Sequence, residues 1–151
     1  MSTSLGSSPQ SFGRGNLRVS RRGKKRSIVL ASLWRPETRN AFSDDLYEDL
    51  IALLESTATD SSVSAVVLTG VGSFFSSGAD LRNGSFVPEK KGRQTVQKPA
   101  GRFMMALIQY PKVLCAAVQG PAVGIGVTLL MHCDIVHCSP TATFWAPFTR
   151  L

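Results

Sequence analysis

With 151 residues and 43% hydrophobic content, the chain is long enough to bury one core. Its net charge of +7 would suggest a nucleic-acid partner, yet the excess comes from residues 1–26, which carry seven basic side chains and no acid. Residues 27–151 balance ten bases against ten acids, which argues against a basic recognition face on the body and against nucleic acid as its partner.

Residues 1–26 therefore read as a Ser/Gly-rich basic extension reaching into the first strand, and residues 27–151 as the domain proper. The extension has no apolar signal core and fits either an organellar transit peptide or a disordered tail, with Gly6, Pro9, Gly13 and Gly15 interrupting an amphipathic helix. The apolar runs 17–19 and 28–33 predict a hairpin with a cationic turn at Gly23. Ser43, followed by Asp44 and Asp45, opens a helix whose Leu46, Leu50, Leu53 and Leu54 share one face. The run AVVLT at 65–69 has the pattern of a strand covered on both faces, in a parallel or mixed sheet.

Residues 83–100 are polar and broken by Gly84, Pro88, Gly92 and Pro99, which predicts a mobile excursion. Phe103, Leu107 and Tyr110 then form a helical stripe that Pro111 stops, followed by buried strands at 113–118 and 135–138. The apolar stretch 113–131 is long enough to span a bilayer, but Gly120, Pro121, Gly124 and Gly126 divide it into a strand, a turn and a helix beginning near Gly124. Cys115, Cys133 and Cys138 are an odd set in apolar surroundings, expected as reduced core thiols. His132, Cys133, His137 and Cys138 sit as sequence neighbours, which point to opposite faces of a strand, so no metal site is expected. A GxGxxG fingerprint is absent, which disfavours a dinucleotide, and no GxSxG elbow surrounds Ser76 or Ser77.

Two places share a design that carries chemistry. At 76–81 and at 120–129 a strand runs into a glycine turn that opens a short helix, leaving backbone N–H groups without intrachain acceptors. Either turn alone is accounted for by tight turning and close packing; two that converge could hold an oxyanion.

Four segments in order, PETRNAF at 36–42, VVLTGVGSFFSSGADL at 66–81, AAVQGPAVGIGVTLL at 116–130 and CDIVHCSPTATFWAPF at 133–148, resemble the enoyl-CoA hydratase/isomerase (crotonase) family, most of all its Δ3,Δ2-enoyl-CoA isomerase branch. The resemblance implies an α/β fold, a ClpP/crotonase-type spiral of β-β-α units, here truncated before the family's C-terminal helical region. It implies an acyl-CoA thioester as substrate, no cofactor, a homotrimer or hexamer, and a mitochondrial or peroxisomal address with the mitochondrion preferred. By position it assigns the oxyanion hole to the amides of Ala79 and Ile125, CoA contacts to Arg39, Asn40, Ala41, Ser77, Gly78, Asp80 and Leu81, and the acyl pocket to Val123, Gly124 and Thr128. Thr128 stands where hydratases of the family have one of two glutamates, which favours the isomerase, and that branch's single glutamate base is expected beyond Leu151. Asp80, adjacent to the hole, is expected to be structural. The rival of another class is a noncatalytic crotonase-like binding protein.

Overall fold

Alternating buried and half-buried side chains in successive strands build the centre of the molecule, a six-stranded sheet in the computed structural model, which describes residues 8–83 and 98–147. Strands β1 (Gln10–Phe12), β2 (Leu17–Arg22) and β3 (Ile28–Leu33) form an antiparallel meander. From β3 onward the sheet is parallel, through β4 (Ala65–Gly70), β5 (Val113–Val118) and β7 (Ile135–Cys138). Each parallel step needs a crossover, and helices α1 (Asp44–Thr59) and α2 (Pro99–Ile108) occupy the first two. The third contains β6 (Ala122–Val123), the four-residue α3 (Ile125–Thr128) and a 3-10 turn at Leu129–His132. A second small sheet pairs β6 in parallel with β8 (Phe144–Trp145).

The predicted hairpin pairs Leu17 with Leu33 and Arg22 with Ile28. The segment set apart as an extension contributes β1 and β2 from Gln10 onward, so the 26/27 division falls in the β2–β3 turn. Asp49, 3% exposed on α1, fastens this corner: its carboxylate accepts the Arg14 N–H at 2.8 Å, the Asn16 N–H at 3.2 Å and the Asn16 amide at 2.9 Å.

Helix α1 starts where the sequence placed it, with the Ser43 hydroxyl accepting the Leu46 N–H at 3.3 Å. Its leucine face is buried. At its other end the Lys112 ammonium donates to the carbonyls of Thr57 and Asp60, meeting the negative end of the helix dipole. Phe42, Tyr47 and Phe103 form a triangle of rings with centroids 5.3, 5.9 and 5.6 Å apart, locking the 36–42 loop, α1 and α2 together.

Several expectations are corrected. Strand β4 is not covered equally on both faces: Val66 and Leu68 are buried, while Val67, like Leu30 and Cys115 beside it, is half-buried. Strand β7 is not a core strand, since all four of its residues are exposed, Ile135 to 58%, and no described element covers it. Cys138 is exposed with it, so only Cys115 and Cys133 approach the expected core thiols. Helix α2 begins at Pro99, whose missing N–H costs nothing at that position, and ends before Tyr110. Of the mobile excursion expected at 83–100, residues 84–97 lie outside the described residues. No helix among the described residues is long and apolar enough to cross a membrane.

Candidate active site

The two glycine turns meet. Gly78 has φ +93°, and a Cβ there would stand 3.0 Å from the Val123 carbonyl oxygen and 3.8 Å from the Gly124 Cα. Gly124 has φ +54°, and its Cβ would lie 3.9 Å from the Gly78 Cα. Both positions need a backbone conformation that side chains disfavour, and at Gly78 the absence of a side chain also lets the two chains approach, since a Cβ at Gly124 would make only ordinary contact. The contact is reinforced on either side: the Ser76 carbonyl accepts the Val123 N–H at 2.9 Å, and Gly126 lies so close to Ser76 that a Cβ would come within 2.9 Å of the serine Cβ.

The residue after each glycine presents the feature the sequence pointed to. Phe42 donates to the Gly78 carbonyl and accepts from the Asp80 N–H, which leaves the Ala79 N–H between them without an acceptor among the described residues. Ile125 is the first residue of α3, so its N–H precedes the helical ladder and also finds no described acceptor. The structure thus places two half-buried residues with unspent backbone donors on two turns in van der Waals contact. Ala79 does not open a helix, however: a three-residue 3-10 turn begins only at Leu81, so its donor capacity rests on the amide itself rather than on a helix dipole.

The loop over residues 35–42 borders the same place. Arg39 and Asn40 both have φ +55°, and Asn40 is wholly buried. Its amide donates to the carbonyls of Val71 at 2.9 Å and Phe74 at 2.8 Å, and its Oδ1 accepts the Arg35 N–H at 3.0 Å. Among the expected CoA contacts, Arg39 is exposed with its guanidinium 5.0 Å above the Phe74 ring, and Leu81 is 57% exposed. Ser77 joins them: its N–H donates to the Arg39 carbonyl at 2.9 Å and its hydroxyl to that of Thr38 at 3.1 Å. Asn40 and Ala41 are buried, so they shape this rim from beneath.

Asp80 is 4% exposed and held by Arg82, whose Nε and Nη2 donate at 3.0 and 2.9 Å, and by Arg35 at 3.4 Å. The hydrogen bonds from Arg82, with the charges of Arg82 and Arg35, outweigh burial and hold its carboxyl down to about 2. A carboxylate so stabilised is a poor proton acceptor at neutral pH. Ser76 is completely buried, and its hydroxyl donates to the Asn40 carbonyl at 2.9 Å and accepts the Gly78 N–H at 3.1 Å, so it is no exposed nucleophile. Burial, with Cys115 and Asp134 nearby, pushes the Cys133 thiol up to about 12, which keeps it protonated. Among the described residues no three of His, Cys, Asp and Glu stand together as a metal-binding group.

In the acyl-pocket set, Val123 pairs with Trp145, and the Gly124 N–H donates to the Trp145 carbonyl at 2.8 Å. The Thr128 hydroxyl donates back to the Ile125 carbonyl at 3.4 Å. The sequence reading missed the Arg35–Asp80–Arg82 cluster and the different fates of Ser76 and Ser77. Only the PETRNAF loop hinted at the first, by placing an arginine at its entrance.

Residues 23–151 match the family model described as Enoyl-CoA hydratase/isomerase. The chain is 41% identical over 121 residues to mouse (Mus musculus) "Enoyl-CoA delta isomerase 3, peroxisomal", covering 78% of this chain and 37% of that protein. It is 36% identical over 124 residues to 2,3-dehydroadipyl-CoA hydratase of Escherichia coli (strain K12), covering 82% of this chain and 48% of that protein. Among solved structures, OdaA of Pseudomonas aeruginosa superposes with a TM-score of 0.77 at 36% identity, over 88% of this chain and 51% of that one. The chain therefore spans about half or less of the length of these relatives.

Proposed function

The chain belongs to the enoyl-CoA hydratase/isomerase family and has its crotonase-type fold, and from that premise we propose that it supplies the oxyanion half of a Δ3,Δ2-enoyl-CoA isomerase acting in fatty-acid β-oxidation. The observation that carries the reading is the pair of unspent amides at Ala79 and Ile125 on touching turns. Removing a proton from C2 of a 3-enoyl thioester pushes negative charge onto the thioester oxygen. A preorganised N–H aimed at that oxygen lowers the barrier by about 3 kcal/mol, so two donors make the dienolate accessible. Returning the proton to C4 moves the double bond into conjugation, which requires one base and no water, metal or redox cofactor.

Thr128 favours the isomerase over the hydratase, because water addition in this family calls for a carboxylate at its position and the threonine hydroxyl is turned to the Ile125 carbonyl. Relatives of both activities match at similar identity, so this choice rests on Thr128. The proton-shuttling glutamate belongs in this reading to sequence following Leu151. Arg39 faces the CoA phosphates, and Ser77 and Leu81 flank the pantetheine. A homotrimer or hexamer in mitochondrion or peroxisome completes the proposal; the mouse relative is named peroxisomal.

The test is a pair of assays, one on a longer product that continues past Leu151 into such a glutamate and one on the 151-residue chain. The longer product should convert 3-enoyl-CoA to trans-2-enoyl-CoA, while the chain by itself should bind the thioester without turnover. Water addition to 2-enoyl-CoA at a rate rivalling isomerisation, read as a mass gain of the acyl group, would sink the isomerase assignment. Turnover by the 151-residue chain would sink the placement of the base.

A further inference from the structure

We propose that Ser76 is a positioning residue whose hydroxyl sets the placement of the two oxyanion donors; the inference rests on the oxyanion reading of Ala79 and Ile125 and assigns a role to a side chain that touches no substrate. Ser76 is the meeting point of three segments. Its N–H donates to the Pro121 carbonyl at 3.2 Å and its carbonyl accepts from Val123, which docks the 120–126 turn on the 76–80 turn. Its Cβ packs against Gly126, next to Ile125. Its hydroxyl adds what the backbone cannot: it bridges the Asn40 carbonyl and the Gly78 N–H, so the buried loop below and the positive-φ glycine above are tied through one oxygen.

The bridge matters because Gly78 precedes the first donor directly and sits at φ +93°. A left-handed glycine has several accessible conformations, and a hydrogen bond to its own N–H selects one. Ala79 inherits that choice. Asn40 is in turn held by its side chain's hydrogen bonds with Arg35, Val71 and Phe74. The serine therefore transmits the position of a rigid loop to the Ala79 amide, while its Cβ and backbone hold the Ile125 turn at a fixed separation. Its neighbour Ser77 faces the rim and bonds Thr38 instead, so the two serines divide between holding the hole and lining its entrance.

The experiment uses Ser76→Ala, which removes the bridge and keeps the backbone bonds, and Ser76→Cys, which keeps a weak donor at similar size. The probe is butyryl-CoA labelled with carbon-13 at the thioester carbonyl, observed by isotope-edited infrared spectroscopy when bound to the 151-residue chain, with free CoA as the reference ligand. Wild type should displace the carbonyl band to lower frequency. Ser76→Ala should lose most of that displacement, and its preference for the thioester over free CoA should fall about tenfold, while free CoA binds as before. Ser76→Cys should fall between the two, and it carries the test if the alanine variant does not fold. A full wild-type displacement in the variants would overturn the inference alone, as would equal weakening of CoA and thioester, which marks a merely structural serine. An undisplaced band in wild type would instead remove the oxyanion reading, and this inference with it.

Discussion

Gly78→Ala tests the contact between the two turns, and a second glycine provides a matched control. Gly78 and Gly15 have nearly the same φ, +93° and +95°, so an alanine at either position bears a similar conformational cost, about 1–2 kcal/mol. Their surroundings differ. At Gly15 the new methyl would meet only the Ser11 hydroxyl at 3.5 Å, an ordinary contact, whereas at Gly78 it would be forced to 3.0 Å from the Val123 carbonyl oxygen, with Gly124 directly behind. Backbone cannot swing aside as a side chain can, so the turns must separate, at an overpacking cost of about 1–3 kcal/mol more. Urea unfolding followed by circular dichroism reads the difference: with a slope of about 1–3 kcal/mol per molar, the Gly78→Ala midpoint should lie about 1 M below that of Gly15→Ala. Equal midpoints would refute the argument, because they would mean that the turns are not packed against each other tightly enough to fix two amides. Thioester binding should separate the variants as well, being retained by Gly15→Ala and weakened by Gly78→Ala.

Asp49→Ala should destabilise the fold by about 3 kcal/mol in the same assay, since it strands the N–H groups of Arg14 and Asn16 that the carboxylate accepts, and amide exchange at those two residues should accelerate. A loss under about 1 kcal/mol would show that the N-terminal meander does not depend on α1. Asp80 predicts a pH dependence. Its folded value of about 2 lies below the ordinary 3.8, so its contribution is fully present above the ordinary value and disappears as pH falls through the folded one. The stability difference between wild type and Asp80→Asn should be constant above about pH 5 and shrink steadily toward pH 2. Asp60, also held down to about 2 by Ser62 and Arg21, is common to both proteins and cancels. A difference that persists undiminished at pH 2 would contradict the Arg35–Asp80–Arg82 arrangement.

The sequence by itself determined what local rules can encode. Short apolar runs marked β2 to β5, Ser43 with its following acids marked the start of α1, and the four ordered motifs carried the family. Gly78 and Gly124 also declared themselves as turn residues, because a positive φ is a local property. Tertiary structure decided what depends on partners distant in the chain. Ser76 and Ser77 are indistinguishable neighbours in the sequence, yet one is buried under Gly126 with its hydroxyl on a carbonyl 36 residues away, and the other lines a rim. The Asn40 side chain is committed to buried hydrogen bonds, which its place in the PETRNAF segment did not reveal, for the same reason. The two-residue strands β6 and β8 are too short for any periodicity and exist only through each other. The apolar run 135–138 has the composition of a core strand, but burial depends on what packs over a strand, and among the described residues nothing does. Above all, the glycine turns marked two places with spare backbone N–H groups and the family resemblance named Ala79 and Ile125 there, while only the fold could bring the glycines into contact, since the touching atoms belong to backbone and leave no trace in side-chain chemistry.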